Sequence, residues 1–168
     1  MSEPDAVVVR ELVEADWPQV WSIIEQVVRA GDTFPFPTDL SETVAREIWL
    51  DNGPAGRASV ATSGGPVLGA GKMGRNRPGP GAHVATASYL VGQTARGRGV
   101  GRALVVDSLV WAQRAGYAAM QFNAVVDTNR AAIHLYESLG FAVIGTVPRA
   151  HELPTGERVG LSIMHIEL

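Results

Sequence analysis

Apolar residues recur along this chain with two different periods. Ala6-Val7-Val8-Val9 is a continuous, β-branched run and reads as a first strand. From Trp17 the spacing changes, and Val20, Ile23, Ile24, Val27 and Val28 fall on one face of a helix. Asp16 stands where an N-cap would, Pro18 fits a first turn, and Gly31 ends the helix. Asp32-Thr33-Phe34-Pro35-Phe36-Pro37 follows, a stiff aromatic connection rather than a regular element. A second helix begins at Ser41-Glu42-Thr43-Val44, runs to about Leu50 and stops at the turn signal Asp51-Asn52-Gly53-Pro54.

Arg57 to Ala61 and Pro66 to Met73 are predicted as two strands joined at Ser63-Gly64-Gly65. Pro78-Gly79-Pro80-Gly81 marks a loop, and His83 to Val91 is the next strand. A helix from Gly99 to Ala115, a strand from Met120 to Val126, a helix from Asn129 to Leu139 and a strand from Phe141 to Val147 come after it. A polar loop through Pro154-Thr155-Gly156 leads to a last strand, Gly160 to Glu167. Strand and helix alternate through the second half, which predicts an α/β layered fold around a mixed sheet. No internal repeat or linker interrupts the pattern, so residues 1–168 read as a single domain.

Composition narrows the function classes. Apolar residues make up 46% and charged residues 18% of the 168, which excludes intrinsic disorder. A net charge of −3 argues against a surface built for nucleic acid. There is no cysteine, so disulfides, thiolate nucleophiles and zinc–thiolate centres are excluded, and no metal site is predicted. Met1 to Arg10 carries acidic residues and does not read as a signal peptide, and no apolar run is long enough to span a bilayer. The expectation is a soluble cytoplasmic protein with neither membrane nor nucleic-acid partner.

The stretch from Tyr89 to Leu104 carries the chemistry. A strand ends, the loop Arg96-Gly97-Arg98-Gly99-Val100-Gly101 follows, and a helix opens at once. Glycines permit close backbone approach, and a helix N-terminus offers unpaired N–H groups and a partial positive charge. Together these bind phosphate, and Arg96, Arg98 and Arg102 add formal charge at the same place. The Gly-Lys-Ser/Thr ending of a Walker loop is missing. A dinucleotide loop is excluded too, because it belongs to an N-terminal βαβ unit with an acid about twenty residues on.

Arg96-Gly97-Arg98-Gly99-Val100-Gly101 resembles the Arg/Gln-x-x-Gly-x-Gly/Ala motif of the GNAT family of N-acetyltransferases. The segment from Asn129 through His134, Tyr136 and Gly140 to Phe141 resembles that family's second characteristic block. The resemblance implies a single GNAT-like α/β (α+β) domain, a mixed, mostly antiparallel sheet of about seven strands flanked by about four helices. It implies acetyl-CoA as cofactor, its pyrophosphate on the amides of residues 96–101, with Arg102 a weaker candidate. In the family the strand before the loop is bulged and splays from the next strand, and the pantetheine arm lies between them. Leu90 and Val91 would then offer main-chain groups to the arm, the Val91 N–H polarising the thioester carbonyl. Asn129 matches a residue that contacts the arm, a role compatible with capping its own helix. Tyr136 matches the tyrosine that protonates the departing thiolate; it also shares an apolar helix face with Ile133 and Leu139.

An amine attacking the thioester directly needs no covalent enzyme intermediate. Asp32, Glu25, His83 and His151 are open alternatives for the base that takes its proton. Phe34 and Phe36 fall where the acceptor pocket should be walled, although they could equally plug the core. Phe122-Asn123 resembles the azetidine-2-carboxylate acetyltransferases, in which an asparagine on this strand holds the substrate carboxylate, and Thr33-Phe34-Pro35 resembles the phosphinothricin type. Both imply a small amino-acid-like amine as acceptor. A protein or peptide acceptor, or a non-catalytic acyl-CoA-binding module, are the alternatives, and the family's frequent dimerisation makes a homodimer an expectation.

Overall fold

The computed structural model describes residues 6–51, 53 and 55–168; Met1–Asp5, and Asn52 and Pro54 of the turn signal, lie outside the described residues. Among the described residues seven strands form one sheet: β1 (Val8–Glu11), β2 (Arg57–Thr62), β3 (Val67–Arg75), β4 (Val84–Val91), β5 (Ala119–Val126), β6 (Ala142–Glu152) and β7 (Arg158–Glu167). Their order is β1-β2-β3-β4-β5-β7-β6, and every neighbouring pair is antiparallel except β4 with β5. Four helices flank it: α1 (Trp17–Ala30), α2 (Glu42–Leu50), α3 (Val100–Arg114) and α4 (Arg130–Ser138). The expected seven-stranded, four-helix α/β (α+β) domain is what the chain adopts.

Alternation along the strands assigns the layers. Val60, Ala70 and Leu90 pack under α1 and α2, whereas Ala61, out of phase with Val60, packs under α3 together with Leu68, which the register shift at Ala61/Thr62 turns to that face. Val20, Ile24 and Val28 on α1 are almost wholly buried, each stabilising the fold by roughly 1.5–3 kcal/mol. Met120, Phe122, Ile133, Phe141 and Met164 make a second core shared by β5, β7 and α4. No helix among the described residues is long and apolar enough to cross a membrane.

Several local expectations need correction. Asp16 does not cap α1 with its side chain, because a short 3-10 turn over Glu14–Asp16 runs into the helix. Its carboxylate instead accepts two hydrogen bonds from Arg10 (2.7 and 2.8 Å) and one from the Val13 N–H (2.9 Å). Ser41, by contrast, caps α2 by accepting from the Val44 N–H at 3.4 Å. The first strand lies two residues later than the valine run predicts. The sixth continues past Val147 to Glu152, tolerating Pro148 at a register shift between Val147 and His151.

The feature that matters for function is a split in the sheet. β4 and β5 pair only at Val84↔Ala119 and Ala85↔Met120, then part. β4 stays paired to β3 from Arg75↔Ala85 to Gly69↔Val91 with no register shift, so the bulge expected in this strand is absent from its ladder with β3. The irregularity lies across the gap, in β5. There Phe122 pairs with Met164 and Val125 with Ser162, so three steps along β5 match two along β7.

Candidate active site

The split opens a cavity of about 570 Å³. One wall is β4 from Thr86 to Val91; the other is β5 from Phe122 to Val126 with Asn129 and Tyr136. The glycine loop, the start of α3, Phe34 and Phe36 also line it. Residues far apart in sequence are thus brought to one space: Phe34, Phe36, Leu90, Val91, Arg96, Gly97, Gly99, Val100, Gly101, Arg102, Asn123, Asn129 and Tyr136. Of the sequence-predicted cofactor, acceptor and acid residues, Arg98 alone does not line it.

The loop is shaped for an anion. Gly97 and Gly99 have φ of 76° and 80°, a left-handed conformation that strains any residue with a Cβ. The first hydrogen bond of α3 runs from the Ala103 N–H to the Gly99 carbonyl at 3.0 Å. The N–H groups of Val100, Gly101 and Arg102 therefore have no acceptor inside the helix. Arg102 also bonds Ser138 Oγ at 3.1 Å, tying the first turn of α3 to the end of α4. Together with exposed Arg96, this end of the cavity offers amides, a helix dipole and two guanidinium groups.

The middle of the cavity offers a strand edge. The Gly92 N–H donates to the Leu68 carbonyl at 2.9 Å, and the Leu90 carbonyl lies against Gly69. By the alternation of an antiparallel ladder, the main chain of Leu90 is turned toward β3 and that of Tyr89 and Val91 toward the gap. Leu90 contributes to the cavity wall as packing, and Val91 leaves its main-chain groups facing the gap.

On the facing wall Asn129 caps α4, its Oδ1 accepting from the Ala132 N–H at 3.2 Å, and it still lines the cavity. The cap is thus formed, and the residue remains at the cavity wall. Tyr136 packs its ring 4.6 Å from Phe122 and 6.0 Å from Phe141. Burial pushes its phenol up to about 12, so the hydroxyl keeps its proton at neutral pH. Tyr89, whose hydroxyl bonds Ser108, is raised further for the same reason and stays neutral.

Phe34 and Phe36 stack on one another at 5.1 Å; they line the cavity and also pack against the α1–α2 core. Asn123 has definite partners: its Nδ2 donates to Asn76 Oδ1 at 2.7 Å and its Oδ1 accepts from Gln121 Nε2 at 2.8 Å. None of the four candidate bases lines the cavity. Glu25 pairs with Arg29 at 2.7 Å, Asp32 is exposed, and His83 and His151 bond the carbonyls of Pro80 and Gly31, each at 3.1 Å.

Sequence reasoning missed Thr86 and Ser88, which line this wall, and Lys72, which sits directly across from Ser88 on β3. Period-two alternation says which residues share a face but not which strands will be neighbours. A signal for Lys72 was available nonetheless: it is the only lysine in the chain.

Residues 9–141 match the Acetyltransferase (GNAT) family. A GCN5-related N-acetyltransferase from Kribbella flavida superposes with a TM-score of 0.93 at 50% identity, over 97% of this chain and 98% of its own. A phosphinothricin acetyltransferase from Sinorhizobium meliloti, solved in complex with AcCoA, shares the fold at a TM-score of 0.85 and 22% identity, over 96% of this chain and 88% of its own. Two curated yeast relatives match shorter stretches. N-acetyltransferase aca1 of Schizosaccharomyces pombe is 36% identical over 87 residues, which is 52% of this chain and 42% of the relative. Protein SPT10 of Saccharomyces cerevisiae is 34% identical over 73 residues, 44% of this chain and 11% of the relative. The chain spans less than half the length of either.

Proposed function

The chain belongs to the acetyltransferase (GNAT) family, which draws its acyl group from acetyl-CoA, and from that premise we propose that it acetylates the amine of a small, amino-acid-like acceptor. The observation that carries this reading is the continuity of the cavity. A single cavity is lined by the glycine loop and the first turn of α3, by the edge of β4 that β5 leaves unpaired, and by Phe34 and Phe36.

The glycine loop and the start of α3 hold the pyrophosphate, with Arg96 and Arg102 balancing its charge. The pantetheine arm lies along the free edge of β4 and takes the main-chain groups of Val91, while Asn129 contacts it from α4. The acceptor nitrogen attacks the thioester carbonyl carbon, whose developing oxyanion is met by the Val91 N–H. The carbon–sulfur bond breaks, and the Tyr136 hydroxyl gives its proton to the departing sulfur. Tyr136 recovers a proton from solvent, and the attacking nitrogen loses one to water, since no carboxylate or imidazole lines the cavity among the described residues.

A small acceptor fits better than a peptide. His151 Nε2 bonds the Gly31 carbonyl, and Pro154 would contact a side chain placed at Gly31. The β6–β7 hairpin therefore meets the α1–α2 connection that carries Phe34 and Phe36, bridging the acceptor side. Asn123 stands within this space as a polar contact for the acceptor.

We also infer a homodimer formed along β6, an edge strand that exposes 41% of Val143, 61% of Ile144 and 49% of Val147. The absence of cysteine is in keeping with a cytoplasmic enzyme.

Free-thiol release from acetyl-CoA across a panel of small amines and N-terminal peptides tests the reading. Turnover with small amino acids and none with peptides is expected. Turnover with peptides alone would move the acceptor class, and tight acetyl-CoA binding without thiol release from any amine would mark a binding module.

A further inference from the structure

Lys72 is the only lysine among 14 basic residues; arginine stands at all the other positions. It lies within β3, half-buried, opposite Ser88 of β4. Its Nζ donates to the Ile48 carbonyl at 3.1 Å. The ion pairs among the described residues all involve arginine, so this ammonium faces no carboxylate at salt-bridge distance. Burial lowers its pKa from the ordinary lysine value. A cation removed from water, with three N–H donors and one neutral acceptor, is held at a cost that an anion would offset.

Beside it is a second cavity, of about 270 Å³, lined by Lys72 together with Ile48, Asp51, Arg75, Thr86 and Ser88. Arg75 and Asp51 are both exposed, so the charge within is net positive and its most sheltered member is Lys72. Thr86 and Ser88 line the larger cavity too. A molecule whose amine sits over the split between β4 and β5 can therefore reach across β4 to Lys72.

We propose that this smaller cavity is the subsite for the acceptor's own carboxylate, with Lys72 as counter-ion and the Ser88 and Thr86 hydroxyls as further donors. The inference rests on the acetyltransferase reading above and restricts it to zwitterionic acceptors, amino acids with a free carboxylate. A lysine suits the position because a compact ammonium on a flexible stem acts as a point charge that needs no fixed planar approach.

The test compares L-amino acids with their C-terminal amides as acceptors, in the wild type, Lys72→Met and Lys72→Arg. The wild type is expected to prefer the acid. Lys72→Met should raise KM for the acid by about 10- to 100-fold, the size of a lost charge-assisted hydrogen bond, with kcat much less affected and the amide moved far less. Lys72→Arg should restore part of the difference, and equal acetyl-CoA affinity in all three proteins shows that each is folded. A wild type indifferent to the carboxylate, or an equal loss of kcat with acid and amide, overturns the subsite and leaves the acetyltransferase standing.

A second readout does not need turnover. Reductive methylation with 13C-formaldehyde labels Lys72 and the N-terminal amine alone, so the Lys72 methyl resonance can be followed as the same acid and amide pairs are added to the CoA-loaded enzyme. Movement with acids and not with amides supports the subsite. No movement with any acid overturns it, whether or not thiol is released.

Discussion

The rings of Tyr136 and Phe122 lie 4.6 Å apart and tilted by 54° across the junction of α4 and β5. That contact holds a phenol at the cavity wall without engaging its hydroxyl in a protein hydrogen bond among the described residues. Tyr136→Phe should therefore fold with an unchanged unfolding midpoint and unchanged acetyl-CoA affinity. Its kcat should fall by roughly 100-fold or more, the usual contribution of a positioned general acid. Stopped-flow thiol release measures the step directly, and an unaltered rate at all pH values would remove Tyr136 from the mechanism.

The pH profile should belong to the acceptor rather than the enzyme. With its phenol pushed up to about 12, Tyr136 stays protonated through the neutral and mildly alkaline range and imposes no falling limb there. The attacking amine must be neutral, so kcat/KM should rise with pH and level off at the acceptor's own ammonium pKa. Replacing the acceptor by one of lower pKa should move that limb by the same amount. A limb fixed near the ordinary histidine value, about 6.5, for every acceptor would reveal an imidazole base.

Gly99→Ala should weaken cofactor binding. No atom lies within 4 Å of the added Cβ, so the cost comes from the backbone, which is left-handed at φ of 80°. About 1–2 kcal/mol of conformational strain is expected, relieved by a local shift that moves the N–H groups of the nest. The KM for acetyl-CoA should rise several-fold more than the KM for the acceptor. Calorimetric titration with CoA alone gives the same answer without catalysis.

Asp16 should make stability depend on acid. The hydrogen bonds from Arg10 hold its carboxyl below the usual value, opposed in part by burial and helped by the Val13 N–H. A depressed folded-state value means stabilisation that is complete above the unfolded value, about 3.9, and lost as pH falls through the folded one. Asp16→Asn should thus unfold at lower temperature than the wild type at neutral pH, and the gap should close as pH falls below about 4. Thermal melts at three or four pH values decide it.

Much of this was legible in the sequence, for reasons that differ by residue. Hydrophobic period together with caps, turn signals and Gly/Pro breakers located seven strands and four helices; the exposed edge strand β6 was found from its apolar, β-branched run rather than from a buried face. That Gly97, Gly99, Asn129 and Tyr136 come to one cavity was legible from the glycine-rich motif and from the resemblance of the 129–141 segment to the family's second block. Asp16 misled because a carboxylate ahead of a helix reads as a cap, and its competitor, Arg10, lies on a strand that the helical pattern does not include. The strand ending at Val147 was cut short by Pro148, which a register shift accommodates. Asn123 was visible as a polar residue in an apolar strand, but not its bond to Asn76, since that depends on how the β3–β4 connection folds back. Lys72 became meaningful only when β3 and β4 were placed side by side.

A sheet that parts after two residue pairs is an incomplete sheet. β4 keeps one row of main-chain groups unanswered by protein, and the ligand that fills the row completes the architecture as well as the reaction. Cofactor binding should then appear as folding free energy: at a concentration 100 times its dissociation constant, about 2.7 kcal/mol. Resistance to heat and to proteolysis should therefore rise with the concentration of acetyl-CoA, which thermal melts at graded cofactor concentrations measure.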